Sequence, residues 1–130
     1  MKRSIIIICL VAVMLGLSIG ELIVHNRFYT RAYDDLVAVQ EYIRADRDNL
    51  AESEALVIVD ALIERFDKNR WLLMSLSNHS LVLMGLEHIT RLREEIALGR
   101  FEEATVQVSV SIVHFEDLVG DISPGITNIL

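Results

Sequence analysis

An apolar run near the N-terminus limits what this chain can fold into more than any other feature. Residues 4–24 contain Glu21 as their only charged residue. As a helix, this run is roughly 32 Å long at ~1.5 Å per residue, close to the thickness of the hydrocarbon core of a bilayer. The run is too long and too uninterrupted for a typical buried helix of a soluble domain. We therefore predict a transmembrane helix that contacts the lipid bilayer through residues 4–24.

The charges and aromatic residues around this run predict its orientation. Lys2 and Arg3 precede it, and positive charges tend to stay in the cytoplasm. Phe28, Tyr29 and Tyr33 follow it, and we expect them to act as amphipathic anchors at the far interface. The sequence thus predicts a single-pass protein of the cell membrane with a cytoplasmic N-terminus and an extracytoplasmic body.

Cleavage of the same segment is an alternative interpretation. Ser18 and Gly20 supply the two small residues that a signal peptidase requires after an apolar stretch, so the segment is either retained or cleaved after Gly20. We divide the chain into a transmembrane anchor or uncleaved signal sequence, residues 1–25, and an extracytoplasmic helical domain, residues 26–130.

Charge and cysteine content exclude several classes of protein. Of the 12 Lys and Arg residues only Lys2 and Arg3 lie in the first 20 positions, so the remainder has 10 against 19 Asp and Glu, a net charge of −9. This balance argues against a nucleic-acid partner, because the phosphate backbone attracts clustered positive charge. Cys9 is the only cysteine, which excludes a disulfide scaffold within the chain.

Beyond the anchor, apolar residues recur at three- and four-residue spacing, as in amphipathic helices. The first helix is predicted to continue from the anchor as far as the turn-like stretch RADRDN. A second helix is expected over residues 56–73, and a third from about Ser80 to Leu98, ending at Gly99. The stretch SLSNHS is the predicted joint between them, because serine and asparagine favour helix caps. Ser123 before Pro124 suggests one further cap.

Residues 106–112 carry two conflicting patterns. Alternate residues are valine or isoleucine, which is typical of a strand. A helical stripe also runs through the segment, formed by Ala104, Val108, Ile112, Phe115 and Val119. We predict a helix because the chain offers no second convincing strand for pairing. The predicted fold is all-α, with the transmembrane helix continuing into a small antiparallel bundle of three to four helices.

The residues suited to chemistry form no recognised motif. No two histidines are three or four positions apart, so no single helix places a pair on one metal. The chain has no GxSxG elbow, no phosphate-binding glycine loop and no HExxH. We predict that it is not an enzyme and that it has no catalytic, cofactor-binding or metal-binding residues and no cofactor. Trp71 is expected to pack at the edge of the core, with a partner contact as the alternative.

Several short motifs resemble one known family. The chain resembles a family of small membrane-anchored proteins in the order of its motifs. These motifs are a short anchor, a helix leading to Trp71, the polar stretch SNHS, the helix HITRLREEI, an acidic helix start ending in EA and a final NIL. These proteins come from spore-forming Gram-positive bacteria and are catalogued as a domain of unknown function. The resemblance implies an anchored helical body in the cell envelope, with Trp71, Asn78, His79 and Arg91 as a structural joint or partner contact.

Together these observations predict a protein that acts through contacts with other proteins. The expected partner is another membrane protein or a second copy of the chain, and the expected role is that of an accessory subunit in a membrane complex of the cell envelope. The alternative is an extracytoplasmic sensor that binds a ligand or metal through His79, His88 or His114.

Overall fold

The structure, a computed structural model, describes residues 1–76 and 78–122, and all regular elements in that part of the chain are helical. The five α-helices are α1 (Lys2–Ala45), α2 (Glu54–Lys68), α3 (Arg70–Leu76), α4 (His79–Ala97) and α5 (Phe101–Ile122). A 3₁₀ segment, Arg47–Glu52, joins α1 to α2. The prediction of an all-α chain whose N-terminal helix continues into a helical bundle is therefore confirmed.

Helix α1 passes through two different surroundings without a break. Residues 4–24, which we call the anchor, are exposed on all sides. By length and composition this part of α1 is suited to cross a membrane. Beyond the anchor, the helix buries one residue in every three or four, namely His25, Tyr29, Ala32, Leu36, Val39 and Ile43. One continuous helix thus joins an apolar exposed rod to the core of the body.

The body is a bundle of four long helices, built from the outer part of α1 with α2, α4 and α5. Each of them packs against two neighbours: α1 and α4 each lie beside both α2 and α5. Ion pairs between Arg65 and Asp35 and between Arg93 and Asp60 connect α2 to α1 and to α4. The short helix α3 closes the end of the bundle nearest the anchor and buries Leu73.

Aromatic rings fill the core at the end nearest the anchor. The ring of Phe66 lies 5.0 Å from that of Phe28 and 5.8 Å from that of Phe115, in edge-to-face geometry. Tyr29 is fully buried, and its ring lies 5.9 Å from that of Phe115. The expectation that Tyr29 anchors the chain at a lipid interface is therefore wrong, because three helices of the body enclose its side chain.

Polar residues divide the helices. The expected helix over residues 56–73 is interrupted at Asn69, whose side-chain amide donates to the Arg65 carbonyl at 2.8 Å. An asparagine that bonds to the backbone in this way competes with the helical hydrogen bonds. At the other end of the bundle, Gly99 adopts a φ of +69° and ends α4, as its position predicted. The cap expected at Ser123 and Pro124 lies outside the described residues.

The segment with two patterns, residues 106–112, is helical throughout and lies within α5. Val108 and Ser111 are buried, whereas Val106 and Val110 are exposed. The helical stripe therefore determines the conformation here, as predicted, and the β-branched residues outside that stripe remain on the surface.

Candidate functional site

The predicted joint lies between α3 and α4, where the chain reverses at the end nearest the anchor. Asn78 caps α4: its Oδ1 accepts a hydrogen bond of 2.9 Å from the backbone N–H of Ser80. His79 is the first residue of α4 and is exposed, and Trp71 in α3 is 75% exposed. Of these three residues, only Asn78 stabilises the local structure through its side chain. It does so as the N-cap of α4, a role that asparagine commonly takes.

Arg91 lies apart from the other three residues of the predicted joint. It follows His79 by twelve residues on α4, a distance of about 18 Å along the helix. Its guanidinium pairs with Glu87 at 3.6 Å, and both side chains are well exposed. The structure therefore does not bring Trp71, Asn78, His79 and Arg91 together into one site. Their role in fixing helices or contacting a partner stays a prediction.

A pair of histidines lies between α4 and α5. A search for histidines three or four positions apart in the sequence cannot find this pair, because its members lie on different helices. The imidazole rings of His88 and His114 are 5.3 Å apart between centroids. The Nε2–H of His114 donates to the Leu81 carbonyl at 3.0 Å, since a carbonyl can only accept. The amide of Gln107 donates to Nδ1 of His88 at 3.2 Å and lies at the same distance from the His88 carbonyl. These bonds connect the two helices across their interface.

The surroundings of His88 favour its neutral form. Burial lowers the pKa of His88 below its usual value, and the neighbouring His114 and Arg91 lower it further, while Glu87 opposes them. An uncharged imidazole fits the hydrogen bond from Gln107, because Nδ1 must then accept. Within residues 1–76 and 78–122, no three His, Cys, Asp or Glu side chains are grouped to hold a metal ion. The geometry thus describes a polar link between α4 and α5.

Gly85 lies beside this link. A Cβ atom added to Gly85 would lie 3.4 Å from Nε2 of His114 and 3.4 Å from Cζ of Phe115. Gly85 therefore lies at the contact between α4 and α5, beside the imidazole that reaches the Leu81 carbonyl. Gly85 inside the helical pattern of α4 is the signal from which a helix contact here could have been predicted.

A second feature of α5 is a row of exposed valines, which we call the valine row. Val106, Val110 and Val113 are 65%, 41% and 58% exposed. Their spacing of four and then three residues places them on one stripe of the helix. Met84 on α4 is 45% exposed. Because α5 packs against α1 and α4 with its other faces, the valine row is uncovered within the single chain.

Comparisons with known proteins give no relative. The chain matches no protein-family model, no curated protein and no solved structure. The resemblance to the membrane-anchored family of spore-forming bacteria therefore stays a prediction.

Proposed function

We propose that this chain is a single-pass, non-enzymatic membrane protein that acts through protein contacts as an accessory subunit of a complex in the cell envelope. Its N-terminus lies in the cytoplasm and its helical body outside. The exposed anchor supports the membrane location, because twenty or so consecutive apolar residues of a helix are stable when lipid surrounds them. Lys2 and Arg3 before the anchor support the orientation.

The valine row is the observation that carries the proposal of a protein partner. Three β-branched residues on one exposed stripe contribute nothing to the core of the chain, and valine is a weaker helix former than the charged residues common on helix surfaces. An apolar stripe of this kind, flanked by polar residues, is typical of a contact surface between proteins. The net negative charge of the body argues against nucleic acid as the partner.

Native mass spectrometry of the tagged full chain, extracted from its own membranes in mild detergent, tests the proposal. We expect a full-length chain in a stoichiometric complex, either with a second membrane protein or with another copy. A chain that lacks its first 20 residues and carries a small ligand or metal would instead indicate the secreted sensor.

A matched pair of variants locates the contact. Val106→Glu places a charge in the valine row, whereas Val57→Glu places one at an isolated valine on α2 with similar exposure, 60%. We expect Val106→Glu to lose the partner from the complex and Val57→Glu to keep it, with both bodies folded by circular dichroism. Equal retention of the partner by both variants would contradict a role for the valine row.

A further inference from the structure

The short helix α3 lies at the level where α1 enters its apolar anchor, as the course of α2 indicates. The ring of Phe66 on α2 contacts that of Phe28 on α1, at 5.0 Å between centroids. From Phe66 the chain runs toward the anchor, and Trp71 follows five residues later. At about 1.5 Å of rise per helical residue, Trp71 lies up to about 7 Å closer to the anchor than Phe28. That distance reaches the level of residues 23–25.

The position of α4 independently indicates that α3 lies at the level of residues 23–25 of α1. Gly85 lies against Phe115, whose ring is 5.9 Å from that of Tyr29 on α1. His79 begins α4 six residues before Gly85, about 9 Å closer to the anchor along the helix. The start of α4 therefore also lies near the level of residue 23. Helix α3 connects these two points, so it lies at the end of the bundle that faces the bilayer.

The side chains of α3 are divided between the bundle and its surroundings. Leu73 is 1% exposed and holds α3 against the body, whereas Trp71 is 75% exposed. Trp71 is thus the most exposed aromatic side chain at this end, and the exposed cations Lys68 and Arg70 are its close neighbours in sequence. Tryptophan is enriched where lipid meets water, because its ring is apolar and its N–H can remain hydrated. Lys68 pairs with Glu64 at 2.9 Å, so the exposed indole, and not the charge of Lys68, carries the contact with lipid.

We propose that Trp71 inserts into the interface between lipid and water of the same bilayer that holds the anchor, so that α3 seats the body on the membrane surface. This inference rests on the proposed membrane span and adds a second contact between the chain and the lipid. The anchor holds Trp71 close to the interface, which raises the effective concentration of lipid for this second contact. The acidic residues of the segment that joins α1 to α2, among them Asp46, Asp48 and Glu52, lie at the opposite end of the bundle.

The chain carries its own probe for this contact, because Trp71 is its only tryptophan. The full chain is reconstituted into phosphatidylcholine vesicles, with either plain lipids or lipids brominated near the glycerol end of the acyl chains. We expect the emission of Trp71 to be shifted to the blue, to lose most of its intensity in the brominated vesicles, and to be protected from aqueous acrylamide. Equal emission in both kinds of vesicle, with full quenching by acrylamide, would overturn the inference.

A matched control moves the tryptophan to the other end of the body. In the double variant Trp71→Phe and Leu98→Trp, the new indole replaces a side chain that is 63% exposed. Leu98 lies at the far end of α4, about 28 Å along the helix from its start. We expect no quenching by the brominated lipid in this variant. Equal quenching at the two positions would mean that the body lies against lipid without orientation, and it too would overturn the inference.

The single cysteine separates failure of this inference from failure of the membrane span. Cys9 lies within the anchor, so a water-soluble maleimide should not modify it in intact vesicles and should modify it after denaturation in SDS. If Cys9 is protected but Trp71 is not quenched, the span holds and only the contact of α3 is wrong. If Cys9 reacts in intact vesicles, the span and the contact of Trp71 are both wrong.

Discussion

The two parts of α1 have one backbone conformation and opposite surroundings. In the anchor, Leu15 is 58% exposed, and the apolar side chains are distributed all round the helix. In residues 25–45, Leu36 is fully buried, and the apolar side chains are concentrated on one stripe that faces α2 and α5. The same helix is therefore exposed in one part and packed into the protein core in the other.

The difference shows that the distribution of side chains determines what a helix packs against. A helix with one apolar stripe can bury it against neighbours of the same chain, as residues 25–45 do. A helix that is apolar all round cannot be covered by one bundle beside it and needs lipid or partner helices. The four isoleucines at positions 5–8 fit this reading, because a helix in lipid keeps its backbone hydrogen bonds whatever the intrinsic propensity of its residues.

The largest expected effect comes from one substitution made in both parts of α1. Leu36→Ala removes a side chain from the closed core and should lower the free energy of unfolding by about 2–5 kcal/mol. Leu15→Ala should leave the unfolding of the body unchanged, because Leu15 is exposed and lies in the anchor. Urea unfolding of the full chain in detergent, followed by circular dichroism, measures both. A similar loss for the two variants would mean that the anchor packs against the body.

The sequence predicted this division because it depends on local patterns. The apolar run, the helical stripes and the polar breaks are each read from neighbouring residues, and they correctly predicted the long N-terminal helix, the start of α4 and its end at Gly99. The strand pattern of residues 106–112 could be rejected because the chain has no second convincing strand with which it could pair. The exposed Val106 and Val110 explain why that pattern exists at all.

The contacts between distant residues could not be predicted in the same way. His88 and His114 are 26 positions apart, and only the antiparallel register of α4 and α5 brings their rings together. Tyr29 looked like an interfacial residue because it follows the anchor, but its place on the inner stripe of α1 buries it. Trp71 was expected at the edge of the core and is exposed. In each case the rotation or pairing of helices decides the outcome, and spacing along one segment does not report it.

A smaller effect is expected when an alanine is enlarged in each part of α1. Ala32 is 1% exposed and lies on the inner stripe, so Ala32→Leu must force neighbouring side chains apart. Overpacking of this kind typically costs about 1–3 kcal/mol. Ala12 is exposed in the anchor, and Ala12→Leu should not change the stability of the body. The same urea titration measures both, and an unchanged midpoint for Ala32→Leu would show that the core beside α1 has spare volume.

The smallest effect concerns two adjacent aspartates in the part of α1 that packs into the body. Asp35 pairs with Arg65 of α2 at a site where both side chains are largely shielded, whereas Asp34 is exposed. Asp35→Asn removes the charge that Arg65 faces and should destabilise the body by about 1 kcal/mol. Asp34→Asn should change the stability by no more than about 0.5 kcal/mol, as is usual for surface positions.

The comparison of these two aspartates tests whether the packed stripe of α1 depends on its polar edge as well as on its apolar centre. If Asp35→Asn is as harmless as Asp34→Asn, burial of apolar side chains alone fixes the rotation of α1 against α2. If only Asp35→Asn destabilises, and 1 M salt reduces the difference, the ion pair contributes electrostatically to that rotation, because salt screens partly exposed charges. Since α1 is continuous, the same rotation also fixes which side of the anchor lies opposite the body.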